Sequence, residues 1–209
     1  MDVLRYIGAV TRELQNREHE GRPARVVVAK CAYDTDVEDV WDAITSAERI
    51  PRWFLPVSGE LRLGGRYQLQ GNAGGEITGC QPPHALDLTW ECGGQVSWVQ
   101  VRLTKLSDGG TRLRLEHIAH VPDDFWNQYG PGAVGVGWDL TIMGLRQHLS
   151  TGATLDTKEG AMWPTTAEGR AFVRGSSDDW CRASMATGTD EAAARSAASN
   201  TTKFYTGSE

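Results

Sequence analysis

His117 is the side chain in this sequence best placed to titrate near a ligand. It ends an alternating run in which Leu113, Leu115 and His117 share one face of a predicted strand. Burial or a ligand can move the pKa of such a histidine from about 6.5 in either direction. A single histidine on a core-facing strand more often packs than catalyses. Glu116 points to the opposite face, so we expect it to be solvated and not to form an acid–base pair with His117.

Other patterns typical of metal, nucleotide or catalytic sites lack the neighbouring residues or elements that such sites need. Cys80, His84 and Cys92 lack the closely spaced pairs typical of zinc sites. Residues 130–135 match the dinucleotide-binding GxGxxG pattern, but no strand precedes them and Pro131 removes a backbone donor. No serine lies in a GxSxG context. The sequence therefore predicts no metal and no cofactor, and it gives little support for an enzyme.

The composition is that of an ordinary globular protein. Of the 209 residues, 40% are hydrophobic and 23% are charged, with a net charge of -6 and no basic cluster that would attract nucleic acid. No apolar run approaches the roughly 18 residues of a membrane span, and the first residues do not resemble a secretory signal. The four cysteines show no disulfide pattern. We expect a cytoplasmic protein with reduced thiols and no membrane segment.

Helical periodicity predicts helices near both ends of the chain. An amphipathic helix is predicted over residues 2–18, ended by Gly21 and Pro23. Capping-box spacing at Thr35 and Glu38 predicts a helix that follows the first strand, and the same spacing recurs at Thr165 and Glu168. The remaining predicted helical segments cover residues 36–46, 47–54, 133–149 and an alanine-rich stretch after Thr189.

Between these helices the pattern changes to a period of two, with turn residues every eight to twelve positions, as in an antiparallel meander. After a first strand at 24–33, the predicted strands are 60–63, 65–70, 75–81, 85–92, 95–106 and 111–121. Gly137, Thr141 and Gly144 form a small-residue stripe on the long helix, which permits either close packing or room for a ligand.

Several sequence phrases occur in this order and together carry a family resemblance. They are Val40-Trp41-Asp42-Ala43-Ile44-Thr45 through Ile50-Pro51-Arg52-Trp53-Phe54, Leu63-Gly64-Gly65-Arg66-Tyr67, Leu88-Thr89-Trp90-Glu91, and the strand from Gly110 to His117. Residues 24–149 thereby resemble the SRPBCC (START-like) superfamily, and within it the homologues of the activator of heat-shock-protein-90 ATPase.

The resemblance implies an α+β helix-grip fold, in which a curved antiparallel sheet wraps a long C-terminal helix around a cavity for an apolar ligand. Family members include lipid and hormone binders, aromatic polyketide cyclases and co-chaperones. Residues 24–149 would form this domain. Residues 1–23 and 150–209 would be N- and C-terminal helical extensions, which the short family members lack.

Twelve residues are predicted to contact the ligand, because they lie on inward strand faces, on the long helix or in segments near the expected pocket mouth. They are Trp53, Phe54, Tyr67, Leu88, Trp90, Trp98, Leu115, His117, Trp126, Tyr129, Trp138 and Thr141. Trp98 is the hardest to assign, since Val96 lies with it but Val99 opposes it.

Three functions remain open at this point. The first is binding of a small hydrophobic or aromatic molecule. The second is a cyclase- or hydrolase-type enzyme acting on an aromatic or polyketide-like substrate through His117. The third is an interaction protein, either a chaperone co-factor or a homodimer formed through the terminal helices. The lack of a catalytic signature favours binding, whereas the two extensions keep the interaction hypothesis open.

Overall fold

A computed structural model describes residues 3–207 as an α+β protein. The strands are β1 (Thr11–His19), β2 (Arg22–Tyr33), β3 (Val57–Gly59), β4 (Arg66–Leu69), β5 (Gly74–Gln81), β6 (Ala85–Cys92), β7 (Gln95–Lys105) and β8 (Thr111–Ala119). The helices are α1 (Val3–Gly8), α2 (Val37–Thr45), α3 (Ile50–Trp53), α4 (Asp123–Tyr129), α5 (Gly132–Thr151), α6 (Thr157–Met162), α7 (Ala167–Ala186) and α8 (Glu191–Thr206), with a 3-10 turn at Trp163–Thr165.

All eight strands belong to one sheet, in the order β1-β2-β8-β7-β6-β5-β4-β3. From β3 to β8 each strand pairs antiparallel with the next. The predicted meander is therefore confirmed, and the predicted bounds of β6 are those observed. The segment predicted as a strand at 60–63 instead forms a turn in which Gly65 N–H donates to the carbonyl of Arg62. The alternating pattern of residues 60–63 suggested a strand with one buried face, but its apolar residue Leu63 is exposed.

The N-terminal segment differs from the helix predicted over 2–18. The helix ends at Gly8, and a strand occupies residues 11–19. Glu20 and Gly21 both have positive φ, at 48° and 73°, as the two central residues of a tight hairpin turn do. Gly21 thus joins two strands and does not end a helix. Tertiary contacts of the strand, above all those of Arg12, outweigh the local helical spacing.

Two helix caps lie one residue after their predicted positions. Asp36 caps α2 by accepting from Asp39 N–H at 2.8 Å, while Thr35 donates to the Asp39 carboxylate. Thr166 caps α7 by accepting from Gly169 N–H at 3.1 Å. Asp and Thr are both residue types favoured at helix N-caps. The capping-box spacing therefore predicted the start of each helix to within one residue.

The chain divides into two compact units. One, here called the extension unit, comprises Met1–Ala29, His120–Leu140 and Asp156–Glu209; the other, the sheet unit, comprises Lys30–Ala119 and Thr141–Leu155. The extension unit has a core of Val27, Val136, Val173 and Trp180. Each unit thus combines segments distant in sequence, because β2 and α5 each contribute to both. The predicted boundaries of the family domain, after residues 23 and 149, remain a prediction.

Candidate functional site

One face of the sheet unit holds five of the twelve predicted ligand contacts, namely Tyr67, Leu88, Trp90, Leu115 and His117. The strand registers place Leu88 opposite Val99, Val99 opposite His117, and Trp90 opposite Ser97. Since directly opposed residues point to the same side of a sheet, these side chains share one face. The inward strand faces predicted from alternation therefore form a single apolar face, here called the β6 face. It comprises Tyr67, Leu69, Ile77, Leu86, Leu88, Trp90, Ser97, Val99, Val101, Leu103, Leu113, Leu115 and His117.

Burial is uneven across the β6 face. Tyr67, Val99 and Leu115 are buried. In contrast, Leu88 and Trp90 are only half-buried. The β6 face thus keeps apolar surface at Leu88 and Trp90 that the folded chain does not fully cover.

His117 forms a short polar chain beside Trp90. Its Nε2 lies 2.8 Å from Ser97 Oγ, which in turn donates to the carbonyl of Trp90 at 3.0 Å. Because the single proton of Ser97 points to this carbonyl, Nε2 of His117 is the donor to Ser97. The indole of Trp90 meets the imidazole edge-on, with ring centroids 6.3 Å apart.

The charge state of His117 follows from its burial. Burial lowers the pKa of His117 to about 4, because the desolvated imidazolium is disfavoured. The ring is therefore neutral at pH 7. A neutral histidine that donates its Nε2 proton to Ser97 cannot also accept the Ser97 proton, so the pair does not have the arrangement of a base and an activated nucleophile.

Tyr67 adds a second polar group to the same face. Its hydroxyl donates to the carbonyl of Thr89 at 2.8 Å. Burial, and to a lesser extent the charge of Glu91, raises the pKa of Tyr67 well above its usual value. The phenol is thus neutral, and its proton is committed to the backbone.

The opposite face of the same strands holds Trp98, which pairs across with Thr89 and Ile118. Trp98 therefore does not join Trp90 and His117. Glu116 also points to this side, but it is buried, contrary to the expectation that it is solvated. Arg114 Nε donates to the Glu116 carboxylate at 2.9 Å. This hydrogen bond offsets part of the cost of removing the carboxylate from water.

Trp53 and Phe54 have different roles at the end of α3. Trp53 is buried, and its indole N–H donates to the carbonyl of Ala43 at 2.9 Å. Phe54 stacks on it with ring centroids 5.6 Å apart and stays half-buried, as does Thr141 on α5. The space beside Gly144 is filled, because a Cβ there would lie 2.6 Å from the carbonyl oxygen of Trp53. At this position the small-residue stripe serves close packing.

The other three predicted contacts lie in the extension unit. Trp138 is buried on α5. Trp126 and Tyr129 lie on α4, where they help to line a cavity of about 300 Å³ bounded by α4, α7 and α8. The Arg25 guanidinium lies 4.5 Å from the ring centroid of Trp126.

Two charge clusters, one half-buried and one buried, were not predicted from the sequence. In the sheet unit, Arg49 pairs with Asp39 at 2.6 Å and lies 3.4 Å from Nε2 of His148. Burial tends to raise the pKa of Asp39, but hydrogen bonds from Arg49 and Thr35 outweigh it and lower that pKa. The second cluster, around Asp139, could have been suspected, because this carboxylate interrupts an apolar stretch of a long helix.

Within residues 3–207, no three His, Cys, Asp or Glu side chains gather as a metal site would require. Over the same residues, no helix is both long and apolar enough to cross a membrane.

The family model described as Activator of Hsp90 ATPase homolog 1-like protein matches residues 34–150, more than half of the chain. The chain belongs to this family. No protein with curated functional information matches it significantly. The family assignment confirms the predicted SRPBCC superfamily, and the solved structures that resemble this family member confirm the helix-grip fold.

Two of these structures are of CalU16 from Micromonospora echinospora. The crystal structure is 37% identical over 69% of this chain and 88% of that chain, with a TM-score of 0.61. The solution structure is 32% identical over 87% of this chain and 97% of that chain, with a TM-score of 0.70. A Mesorhizobium loti protein, MLL2253, is 25% identical over 60% of this chain and 97% of that chain, with a TM-score of 0.54. Since the solution structure covers more of the chain than residues 34–150, its likeness includes part of the flanking segments.

Proposed function

We propose that the sheet unit binds a small, neutral, hydrophobic or aromatic molecule on the β6 face. The observation that carries this proposal is the half-burial of Leu88 and Trp90 on β6, within a face whose other members are buried. Covering such surface is favourable by roughly 25 cal/mol for each Å² of apolar area removed from water. Trp90 contributes most, because aromatic rings offer large contact areas and stack on other rings.

The polar groups of the β6 face favour a neutral ligand. His117 is uncharged at pH 7, and Ser97 and Tyr67 both donate to backbone carbonyls. An anionic ligand would lose its hydration here without gaining a cation in exchange. A flat apolar molecule with at most one or two hydrogen-bonding groups suits the face better.

Catalysis by His117 receives less support than binding. A cyclase- or hydrolase-type mechanism needs a base near the working pH, whereas the pKa of His117 is about 4 and its Nε2 proton goes to Ser97. A chaperone partner, a homodimer and a cytoplasmic location stay predictions.

The proposal is tested with N-phenylnaphthylamine, a neutral apolar dye that fluoresces when it leaves water. Trp90→Ala should weaken dye binding about tenfold, equivalent to about 1.4 kcal/mol. The matched control is Trp98→Ala, since Trp98 is also half-buried and lies on the neighbouring strand but points to the opposite face. Equal losses in the two variants would count against the β6 face.

Native mass spectrometry of the purified protein complements the dye experiment. A bound molecule that survives desolvation would support the proposal and reveal its own mass. Its retention by the Trp98→Ala protein and its loss from the Trp90→Ala protein would locate it on the β6 face.

A further inference from the structure

The extension unit contains a cavity of its own, formed where α4 and the turn that follows it meet α7 and α8. Its volume of about 300 Å³ is at the lower end of the range for small-molecule sites. All residues that line it belong to the extension unit, so it is separate from the β6 face.

A buried hydroxyl in this cavity lacks a partner. Ser177 lines the cavity and is 1% exposed, yet its Oγ makes no hydrogen bond among the described residues 3–207. Burying a hydroxyl without a partner is unfavourable, and folded proteins seldom leave one unpaired. The neighbouring Ser176, which is equally buried, does donate to Asp139. Ser177 is therefore a polar group that a bound molecule could satisfy.

Apart from the polar side chains of Asn127, Ser184 and Thr189, the rest of the lining suits a flat apolar molecule. Trp126 and Tyr129 form the side contributed by α4, while Ala194 and Ala198 present only methyl groups from α8. The one guanidinium in the lining near Trp126, that of Arg25, is paired with Asp123 at 2.8 Å. The cavity thus offers aromatic contact, little bulk from α8 and a cation that already has a counter-ion.

We propose that this cavity binds a small neutral aromatic molecule with one N–H or O–H group, which pairs with Ser177 while the ring lies against Trp126. The proposal goes beyond binding on the β6 face, because it assigns a second site and a role to helices outside the residues matched by the family model.

Indole is a suitable probe, since it is neutral, aromatic and carries one N–H. Calorimetric titration of the full-length protein should show saturable binding. Ser177→Ala should weaken it about fivefold, the loss expected for one hydrogen bond. Ala198→Leu, at a half-buried position of the lining, should remove binding by filling the cavity. The controls Ser196→Ala and Ala192→Leu are exposed positions of α8 outside the lining and should bind like the parent protein.

The outcomes separate the two proposed sites. Indole binding that survives Trp90→Ala but is lost in Ala198→Leu supports the second site whether or not the β6 face binds its dye. Absence of saturable indole binding to the parent protein overturns the proposal. Unchanged indole affinity in both Ser177→Ala and Ala198→Leu also overturns it. If the larger leucine impairs folding, the affinity of Ser177→Ala alone still tests the proposal.

Discussion

Arg12 Nε donates to Oδ2 of Asp139 at 2.8 Å, joining β1 to α5 within the extension unit through two side chains that are 3% and 0% exposed. Ser176 and Trp180 of α7 donate to the same oxygen at 2.5 and 3.1 Å. Arg12 also reaches Asp179 at 2.6 Å. Burial raises the pKa of Asp139, although Arg12, Ser176 and Trp180 act to lower it. The N-terminal strand and the C-terminal helices are therefore held together by one buried polar network.

Removing the cation from this network should be costly. Arg12→Met leaves the Asp139 carboxylate buried without its cation, and we expect the free energy of unfolding to fall by about 3–5 kcal/mol. The double variant Arg12→Met with Asp139→Leu removes both charges and should recover much of that loss. Urea denaturation followed by circular dichroism measures both values.

The control for this prediction is the pair formed by Arg195 and Glu191 on α8, which lies at 2.8 Å but is 67% exposed on both sides. Because water screens such a pair, Arg195→Met should leave the unfolding curve unchanged. If Arg12→Met is no more destabilising than Arg195→Met, the buried network does not anchor β1.

Protonation of His117 should make stability depend on pH. Its pKa is about 4 in the folded protein, against about 6.5 in the unfolded chain. Between these values the unfolded chain binds the proton and the folded protein does not, so the free energy of unfolding falls as pH falls from 6.5 to 4. Above pH 6.5 this group contributes no slope. The full effect is on the order of 3 kcal/mol.

The variant His117→Gln removes this titration and keeps a polar side chain. Chemical denaturation at a series of pH values should therefore give a flatter profile between pH 4 and 6.5 for the variant than for the parent protein. Identical slopes would show that His117 is not held neutral by burial.

Gly144→Ala should destabilise the sheet unit. An added Cβ would meet the carbonyl oxygen of Trp53 at 2.6 Å, which is backbone and cannot turn away. Overpacking of this kind costs about 1–3 kcal/mol, which exceeds the gain of up to about 1 kcal/mol from better helix propensity. Gly8→Ala in α1 is the control, because nothing lies within 4 Å of its added Cβ. Thermal melting should distinguish the two variants, and equal melting temperatures would show that the contact at Gly144 can relax.

Sequence patterns predicted the sheet well where alternation coincides with burial on one face, as in β7. There Ser97, Val99, Val101 and Leu103 are buried and the residues between them are half-buried. The patterns failed where the deciding interaction is distant along the chain. Nothing near Arg12 in sequence indicates that its guanidinium is buried against Asp139, 127 residues away, so the local spacing favoured a helix. Likewise, the role of Ser97 beside His117 depends on the register between β7 and β8, which a single strand does not specify.

Two adjacent serines on α7 provide a sharp test of the cavity in the extension unit. Ser176 and Ser177 are 0% and 1% exposed, but only Ser176 Oγ has a hydrogen-bond partner among the described residues 3–207. Ser176→Ala removes a donor to a carboxylate and should lower the free energy of unfolding by about 1.5–3 kcal/mol. Ser177→Ala removes an unpaired hydroxyl and should leave stability unchanged or raise it, measured in the absence of any ligand. If Ser177→Ala is as destabilising as Ser176→Ala, the Ser177 hydroxyl has a partner within the protein and is not available to a bound molecule.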